Sequence, residues 1–332
     1  MGRVGRVTVW ILVAAALCTA VVSGSNDGAT LVALNTRTGS ISPLRAVVVL
    51  SVFVGVGPFL VGTAVASTVA HGLVGFEHSG GTLAFVVAVV CALAVVFVSS
   101  HRGLPTSVTL ALTGSIVGAG VGFGLLVHWG VVAAVCLAGL CAPLAAAVAG
   151  FALASVELRL RPPAMRRRAR RVTEWVGFVL ESFAYGANDA EKLAAIMAVA
   201  IGATNTARSG GSALTLSPLG QVAIAVCFAP GIVISVRQVA RRVSERMVQV
   251  RSDTAIGVSF CASGVVLVTS LFGYPISSTQ AATGALLGVG ARSEPSRVQW
   301  GQAGAIAVAW VVTLPTSVAL AAVVGVTFRA LR

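Results

Sequence analysis

The stretches Gly24-Ser25-Asn26-Asp27 and Gly186-Ala187-Asn188-Asp189 place the same Asn-Asp pair at matching points in the two halves of the chain. Each pair lies inside a segment that is otherwise apolar enough to cross a membrane. Polar and ionisable groups are costly in hydrocarbon, and chains that keep them there generally use them. Two such pairs at equivalent positions therefore indicate a functional site that is built from both halves.

A second pair of motifs recurs later in each half. The first copy is Pro105-Thr106-Ser107-Val108-Thr109, and the second is Pro275-Ile276-Ser277-Ser278-Thr279. The glycines that follow also align without a gap: Gly114, Gly118 and Gly120 in the first half, and Gly284, Gly288 and Gly290 in the second. The chain is therefore an internal duplication with polar groups in the middle of each half.

Composition places the chain in a membrane. Of its 332 residues 57% are hydrophobic and only 10% are charged, which is too apolar for a soluble core. The net charge of +13 does not indicate a nucleic-acid partner, because the arginines cluster at 159–171 and 237–251, in loops between apolar segments. The six cysteines lack CxxC spacing and a histidine at ligand spacing, so they predict packing residues and no metal site.

The hydropathy pattern predicts an all-α polytopic protein of the cell membrane with about five membrane segments in each half. The predicted segments are about 7–36, 46–71, 83–99, 104–124 and 130–156, then about 173–207, 216–236, 254–272, 275–291 and 299–325. We expect a first repeat at 1–156, an arginine-rich cytoplasmic linker at 157–172 and a second repeat at 173–332. The first segment resembles a signal peptide, but cleavage would sever Asn26 and Asp27, so we expect a retained helix.

An odd number of crossings in each half predicts two repeats of inverted topology, with discontinuous or re-entrant helices at the site. With the N-terminus outside, 17 arginines fall in inner loops and 5 on the outer side, as the positive-inside rule requires. Segments 104–124 and 275–291 are alternatively re-entrant hairpins. If both are re-entrant, each half makes four crossings and the inversion does not follow.

The polar motifs suggest two kinds of chemistry. Gly24 and Gly186 would let a helix unwind in mid-membrane, and the freed carbonyls with Asn and Asp oxygens would coordinate a small cation or relay a proton. Lys192, the only lysine, follows Asp189 by three residues, so a helix brings them together; a purely structural ion pair is the alternative. The clustered hydroxyls after each proline suit a tetrahedral oxyanion, although they are also typical of helix packing.

On these motifs the chain resembles the PiT family of inorganic phosphate transporters, in both repeats and over nearly its whole length. Family members carry an Asn-Asp-x-x-Asn-type motif early in each half, often with Lys at the end of the second copy in bacterial proteins. They carry a Pro-x-Ser-Ser/Thr-Ser/Thr-His-type motif late in each half. This chain departs from the pattern at Thr30 and Lys192, at Val108 and Leu110, and at Gln280; Tyr185 stands where a histidine is common.

The resemblance implies a symporter that imports inorganic phosphate, free or as a metal-phosphate complex, with no catalytic residue and no cofactor beyond a coupling cation, H⁺ or Na⁺. It assigns the coupling ion to Asn26, Asp27, Asn188, Asp189 and Lys192. It assigns phosphate to Ser107, Thr109, Ser277, Ser278 and Thr279. The Lys192 ammonium would stand in for a bound sodium, which favours proton coupling.

Other functions remain open from the sequence. Sulfate is also a tetrahedral oxyanion, so a sulfate permease of the same fold is one alternative, and a transport-inactive sensor or structural membrane protein is another. A hydrolytic enzyme is disfavoured because neither hydroxyl motif contains a histidine. Membrane lipid is the expected partner of the arginine-rich linker. The sequence leaves the oligomeric state open, a homo-oligomer included.

Overall fold

The computed structural model describes residues 3–36, 39–76, 80–101, 106–160, 167–205, 218–246 and 252–331. Within these ranges the regular structure is helical, and the predicted all-α class is confirmed. In chain order the helices are α1 (Arg3–Ser23), α2 (Ala29–Thr36), α3 (Pro43–Val61), α4 (Ala64–Ser67), α5 (Gly81–His101), α6 (Val108–Phe123), α7 (Trp129–Leu160), α8 (Arg167–Tyr185), α9 (Glu191–Asn205), α10 (Pro218–Arg246), α11 (Ser252–Leu271), α12 (Ser278–Ser293) and α13 (Trp300–Ala330).

Six helical spans among the described residues are long and apolar enough to cross a membrane. They are Val9–Thr36, Pro43–Val61, Gly81–Ser100, Trp129–Leu160, Pro218–Arg241 and Trp300–Ala330, and Val108–Phe123 and Ile256–Leu271 are shorter apolar helices. The outer surface is apolar as well: on α7, Leu144 is 66% and Val148 70% exposed. An apolar exterior of this extent suits lipid and not water.

Both Asn-Asp motifs form π-helical turns, Gly24–Gly28 between α1 and α2 and Gly186–Ala190 between α8 and α9. The helix therefore widens by one residue at each motif and does not unwind into an extended stretch, as the glycines had suggested. These glycines serve close packing instead. A Cβ on Gly24 would lie 2.1 Å from the Phe228 carbonyl oxygen of α10, and one on Gly186 would lie 2.3 Å from the Phe53 carbonyl oxygen of α3. π turns inside α-helices are frequent at functional sites.

A break that was not predicted lies between α3 and α4, inside the segment expected to be continuous at about 46–71. The chain turns at Gly62, whose φ of 112° is a conformation that glycine adopts without strain. The new helix start at α4 is capped from the other repeat, because the Glu191 carboxylate accepts from the backbone N–H groups of Val65 at 2.9 Å and Ala66 at 3.1 Å. A side chain thereby satisfies amides that the break leaves without a helical partner.

Each hydroxyl motif lies at the tip of a helical hairpin, α5–α6 in the first half and α11–α12 in the second. The two tips have the same local conformation: φ and ψ are −94° and 118° at Ser107, and −98° and 117° at Ser277. Both serines are N-caps, and each Oγ accepts from the backbone N–H three residues later. The sequence duplication is thus a structural duplication at these tips.

The last helix of each half packs against the hairpin of the other half. The α6 glycines allow close contact with α13, since a Cβ on Gly118 would lie 2.2 Å from the Val318 carbonyl oxygen. The α12 glycines do the same against α7, where a Cβ on Gly288 would lie 1.9 Å from the Ala147 carbonyl oxygen. Each half therefore packs its last helix, α7 or α13, against a hairpin of the other half, and the halves are held together by this exchange of helices. Their opposite orientation in the membrane stays a prediction.

The arginine-rich linker predicted at 157–172 is described at its two ends. α7 continues to Leu160 and α8 begins at Arg167, and residues 161–166 lie outside the described residues. Glu174 near the start of α8 forms an ion pair with Arg170, with 3.0 Å between carboxylate oxygen and guanidinium nitrogen. The contact of this segment with lipid remains a prediction.

Candidate functional site

The two π turns and the two hairpin tips meet in the interior, and they bring the predicted residues together. Nine of the ten side chains are joined by hydrogen bonds to one another or to the hairpin-tip backbone. Ser107 is the exception, since its hydroxyl oxygen accepts from its own helix at the Leu110 N–H, 3.3 Å away. The roles assigned to these residues stay predictions, but their convergence is a feature of the fold.

The asparagines fasten each π turn to the hairpin of its own repeat. The Asn26 amide donates to the Thr106 carbonyl oxygen at 3.0 Å. Asn188 is held twice by the second tip, because its amide donates to the Tyr274 carbonyl oxygen at 3.1 Å and its side-chain oxygen accepts from the Ile276 N–H at 3.1 Å. The asparagines therefore hold the hairpin tips in register with the carboxylates that follow each of them.

Lys192 lies at the centre of the site and is 5% exposed. Its Nζ donates to the Asp189 carboxylate at 2.7 Å, to the Thr109 hydroxyl at 2.6 Å and to the Ile276 carbonyl oxygen at 2.6 Å. All three ammonium protons thus have oxygen partners, and these oxygens come from both halves of the chain. A carboxylate, a hydroxyl and a carbonyl oxygen are also the ligands that a small hard cation takes in proteins.

The hydroxyl motifs direct their protons at the carboxylates. Ser278 donates to Asp189, and Thr279 donates to Asp27 across the two repeats at 3.2 Å. The position equivalent to Ser278 in the first repeat is Val108, which has no hydroxyl, so the second repeat supplies the bond to Asp27. The Thr109 hydroxyl donates to the Ile276 carbonyl oxygen at 3.1 Å. Ser277 and Thr279 share a further hydrogen bond of 2.9 Å.

The site is closed. Asp27, Asp189 and Lys192 line a cavity of about 10 Å³, which has room for about one water molecule and none for a tetrahedral oxyanion. The two carboxylates outnumber the one ammonium, so the site carries excess negative charge when both are ionised. Before an anion can bind here, the hydroxyl groups have to stop donating to the carboxylates, and one of the two carboxylates has to be neutralised.

Several groups in or near the site are not among the ten predicted residues. Ile276 acts through its backbone, which composition does not reveal, although its place within the second hydroxyl motif was visible. Thr30, in place of a family asparagine, directs its hydroxyl at the Asn26 carbonyl oxygen 2.7 Å away. Glu191 caps α4, and Glu181 joins a separate polar cluster with Asn35 and Ser259. The signal for both glutamates was their position inside an apolar stretch.

Comparison with known proteins adds the following findings. Two stretches of the chain, residues 23–181 and 161–321, match the model of the phosphate transporter family. A "Probable low-affinity inorganic phosphate transporter" of Mycobacterium bovis is 32% identical over 316 residues, which cover 92% of this chain and 74% of that protein. A protein of the same description from Bacillus subtilis is 28% identical over 323 residues, covering 94% and 95%.

One solved structure has the same fold. It is titled "The sodium-dependent phosphate transporter" and superposes with a TM-score of 0.83 at 18% sequence identity. The match covers 98% of this chain and 100% of that one. At this identity the likeness concerns the architecture alone, which the present chain shares over 98% of its length.

Proposed function

This chain belongs to the phosphate transporter family, and from that premise we propose that it imports inorganic phosphate through the cell membrane together with a proton. Family membership and the six apolar helices make it a multi-pass membrane protein. Members of the family are transporters, which move their substrate chemically unchanged, so the chain is not an enzyme. The coupling ion and the residues that bind each substrate belong to the proposal.

The observation that carries the choice of proton over sodium is the position of Lys192. Its ammonium donates hydrogen bonds of 2.6 to 2.7 Å to three oxygens that come from both repeats, and Lys192 is less than one-tenth exposed. A sodium ion needs these same oxygens and would meet a fixed positive charge among them. A tethered ammonium that stays with the protein carries no charge across the membrane, so another ion has to drive accumulation.

Asp27 is the carboxylate that fits the role of proton carrier. The charge of Asp189 is balanced by Lys192, whereas Asp27 receives only neutral donors, the Thr279 hydroxyl and the Asn26 amide. Protonation of Asp27 removes the excess negative charge and turns one of its oxygens from acceptor into donor. Thr279 is then free to donate to a phosphate oxygen, so proton binding and phosphate binding favour each other.

The hydroxyls of Thr109, Ser277, Ser278 and Thr279 are the proposed anion donors, with the N-terminus of α12 behind them. In the closed state the carboxylates of Asp27 and Asp189 accept the protons that phosphate oxygens would accept. When phosphate binds, its oxygens therefore replace the carboxylate oxygens as the acceptors of these hydroxyl protons. Ser107 acts as a cap in the described state, and its proposed contact with phosphate requires the tip of the first hairpin to open.

The test is uptake of radiolabelled phosphate into proteoliposomes under an imposed proton gradient and, separately, a sodium gradient. Each arm is run with and without Mg²⁺, which separates the free anion from a metal-phosphate complex, and with excess unlabelled sulfate. We expect accumulation under the proton gradient that sulfate leaves intact. Accumulation driven by sodium alone would overturn the coupling proposal, and uptake abolished by sulfate would point to a sulfate permease. No accumulation under either gradient would support a transport-inactive protein.

A further inference from the structure

A second buried carboxylate lies outside the proposed phosphate site. Glu181 on α8 is 4% exposed, and its Oε2 accepts from the Asn35 amide at 2.7 Å and from the Ser259 hydroxyl at 2.9 Å. The three side chains come from α8, α2 and α11, so residues far apart in sequence converge on one carboxylate oxygen. Ionisable groups kept inside membrane segments are costly and serve a function by default.

Among the described residues Glu181 forms no ion pair. On its own helix, the nearest charged carboxylate towards the N-terminus is Glu174, which is paired with Arg170. Beyond the π turn, Asp189 is paired with Lys192. Of the elements packed against α8, α11 contributes the Cys261 thiol and α3 contributes Arg45, whose side chain is exposed. The described neighbours thus supply hydrogen bonds to Glu181 but no compensating charge.

The position of Glu181 is specific to the second repeat. Alignment of the two Asn-Asp motifs pairs Glu181 with Thr19 and Tyr185 with Ser23. Thr19 does not ionise, and its hydroxyl donates to the Ala15 carbonyl oxygen at 2.7 Å. The first repeat therefore has no counterpart of this acid, and a group present in one repeat only suits a step that occurs at one membrane face.

The face is the inner one in the predicted topology. Glu181 precedes Asp189 by eight residues and Asn35 follows Asp27 by eight, so the cluster lies about 12 Å from the central carboxylates along both helices. Both displacements lead towards the arginine-bearing loops that the positive-inside rule assigns to the cytoplasm. Tyr185 lies between this cluster and the central carboxylates and is fully buried.

We propose that Glu181 is the inner-side protonation site of the transport cycle and receives the coupling proton after phosphate has left the central site. The inference rests on the proposed proton symport. Asp27 returns to its carboxylate form, the Tyr185 hydroxyl and water pass the proton along, and Glu181 becomes a carboxylic acid that then releases the proton to cytoplasmic water. Asn35 and Ser259 hold the Glu181 carboxylate in place through their hydrogen bonds and act as positioning residues.

The test compares net accumulation with phosphate–phosphate counterflow at equal pH on both sides, because counterflow needs no net proton release. Glu181→Gln keeps an oxygen that accepts from Asn35 and Ser259 but does not titrate. We expect its proton-driven accumulation to fall about 100-fold, the scale of losing a positioned proton-transfer group, while counterflow stays at the wild-type rate. Glu181→Asp, which still titrates, should recover part of the accumulation.

Ser259→Ala is the matched structural control, because it removes one hydrogen bond of the cluster and leaves the carboxylate in place. It should retain accumulation at a level well above that of Glu181→Gln. Loss of accumulation and counterflow together in Glu181→Gln, or loss of neither, would overturn the proposal, as would equal defects in Glu181→Asp and Glu181→Gln. Failure of the proposed symport itself is recognised separately, since wild-type protein would then show no proton-driven accumulation.

Discussion

Replacing Lys192 by asparagine should give a protein that sodium stabilises, whereas we expect the wild type to be indifferent to sodium. The substitution removes the ammonium that pairs with Asp189 at 2.7 Å in a site shielded from water. Breaking one partner of a buried ion pair costs about 3–5 kcal/mol, because the remaining charge stays buried without compensation. In sodium-free buffer, Lys192→Asn should therefore lose about that much free energy of unfolding.

Sodium should return much of this loss. The new amide oxygen, the Asp189 carboxylate, the Thr109 hydroxyl and the Ile276 carbonyl oxygen would form a cage of four oxygens in place of an ammonium and its three partners. A ligand present at 100 times its dissociation constant stabilises the folded state by about 2.7 kcal/mol. The recovery should thus rise with the logarithm of the sodium concentration and reach about 2.7 kcal/mol at 100 times the dissociation constant.

The assay is denaturation of purified protein in mixed micelles, titrated with NaCl and, as the control for ionic strength, with KCl. Lys192→Met is the matched variant, since it also lacks the charge but supplies no amide oxygen, and it should gain nothing specific from sodium. Wild-type protein should respond equally to both salts. If sodium stabilises the wild type as much as Lys192→Asn, or leaves Lys192→Asn unstable and its uptake unchanged, the ammonium does not stand in for a sodium ion.

Three further outcomes follow from the site and its packing. Asp27→Asn should lose proton-driven accumulation in proteoliposomes but keep counterflow, because the amide stays neutral throughout; normal accumulation would remove Asp27 as proton carrier. Ser278→Ala and Thr279→Ala should each raise the half-saturating phosphate concentration about 10- to 100-fold, the worth of one hydrogen bond to a charged partner, and an unchanged value in both would move the anion elsewhere. Gly288→Ala should cost at least about 1–3 kcal/mol of unfolding free energy, because its Cβ meets a carbonyl oxygen, whereas Gly301→Ala, with open space around it, should cost almost nothing. Equal stability of these two variants would contradict the described helix contact.

The sequence predicted those features that repeat within it. The duplicated motifs gave the helical class and the convergence of Asn-Asp pairs on hydroxyl motifs, because equivalent segments of two repeats meet at their common centre. Helical spacing predicted the Lys192–Asp189 pair as well, although Thr30 stands in the place of Lys192 in the first copy. Propensity misled at Gly24 and Gly186, where glycine serves the approach of a neighbouring helix and the backbone remains helical.

Other features depend on contacts that no local pattern encodes. The cap that Glu191 places on α4 joins residues more than 120 positions apart, and the Asn35–Ser259 hydrogen bond joins residues 224 positions apart. Every residue type has a backbone carbonyl oxygen, so the sequence could not show that the carbonyl oxygen of Ile276 would accept from Lys192. Exchange of α7 and α13 between the halves leaves no mark in hydropathy, because both helices read as ordinary apolar spans.

That exchange has a consequence for how the chain is made. The glycine face of α6 is complete when residue 123 leaves the ribosome, but the surface it fits belongs to α13, which begins at Trp300. At usual translation rates the interval is about 10 to 35 s. Through that time the first hairpin has to wait in the translocon or in lipid without its permanent neighbour. Truncation before α13 would therefore leave the first hairpin, which is made early, without the surface that its glycine face fits.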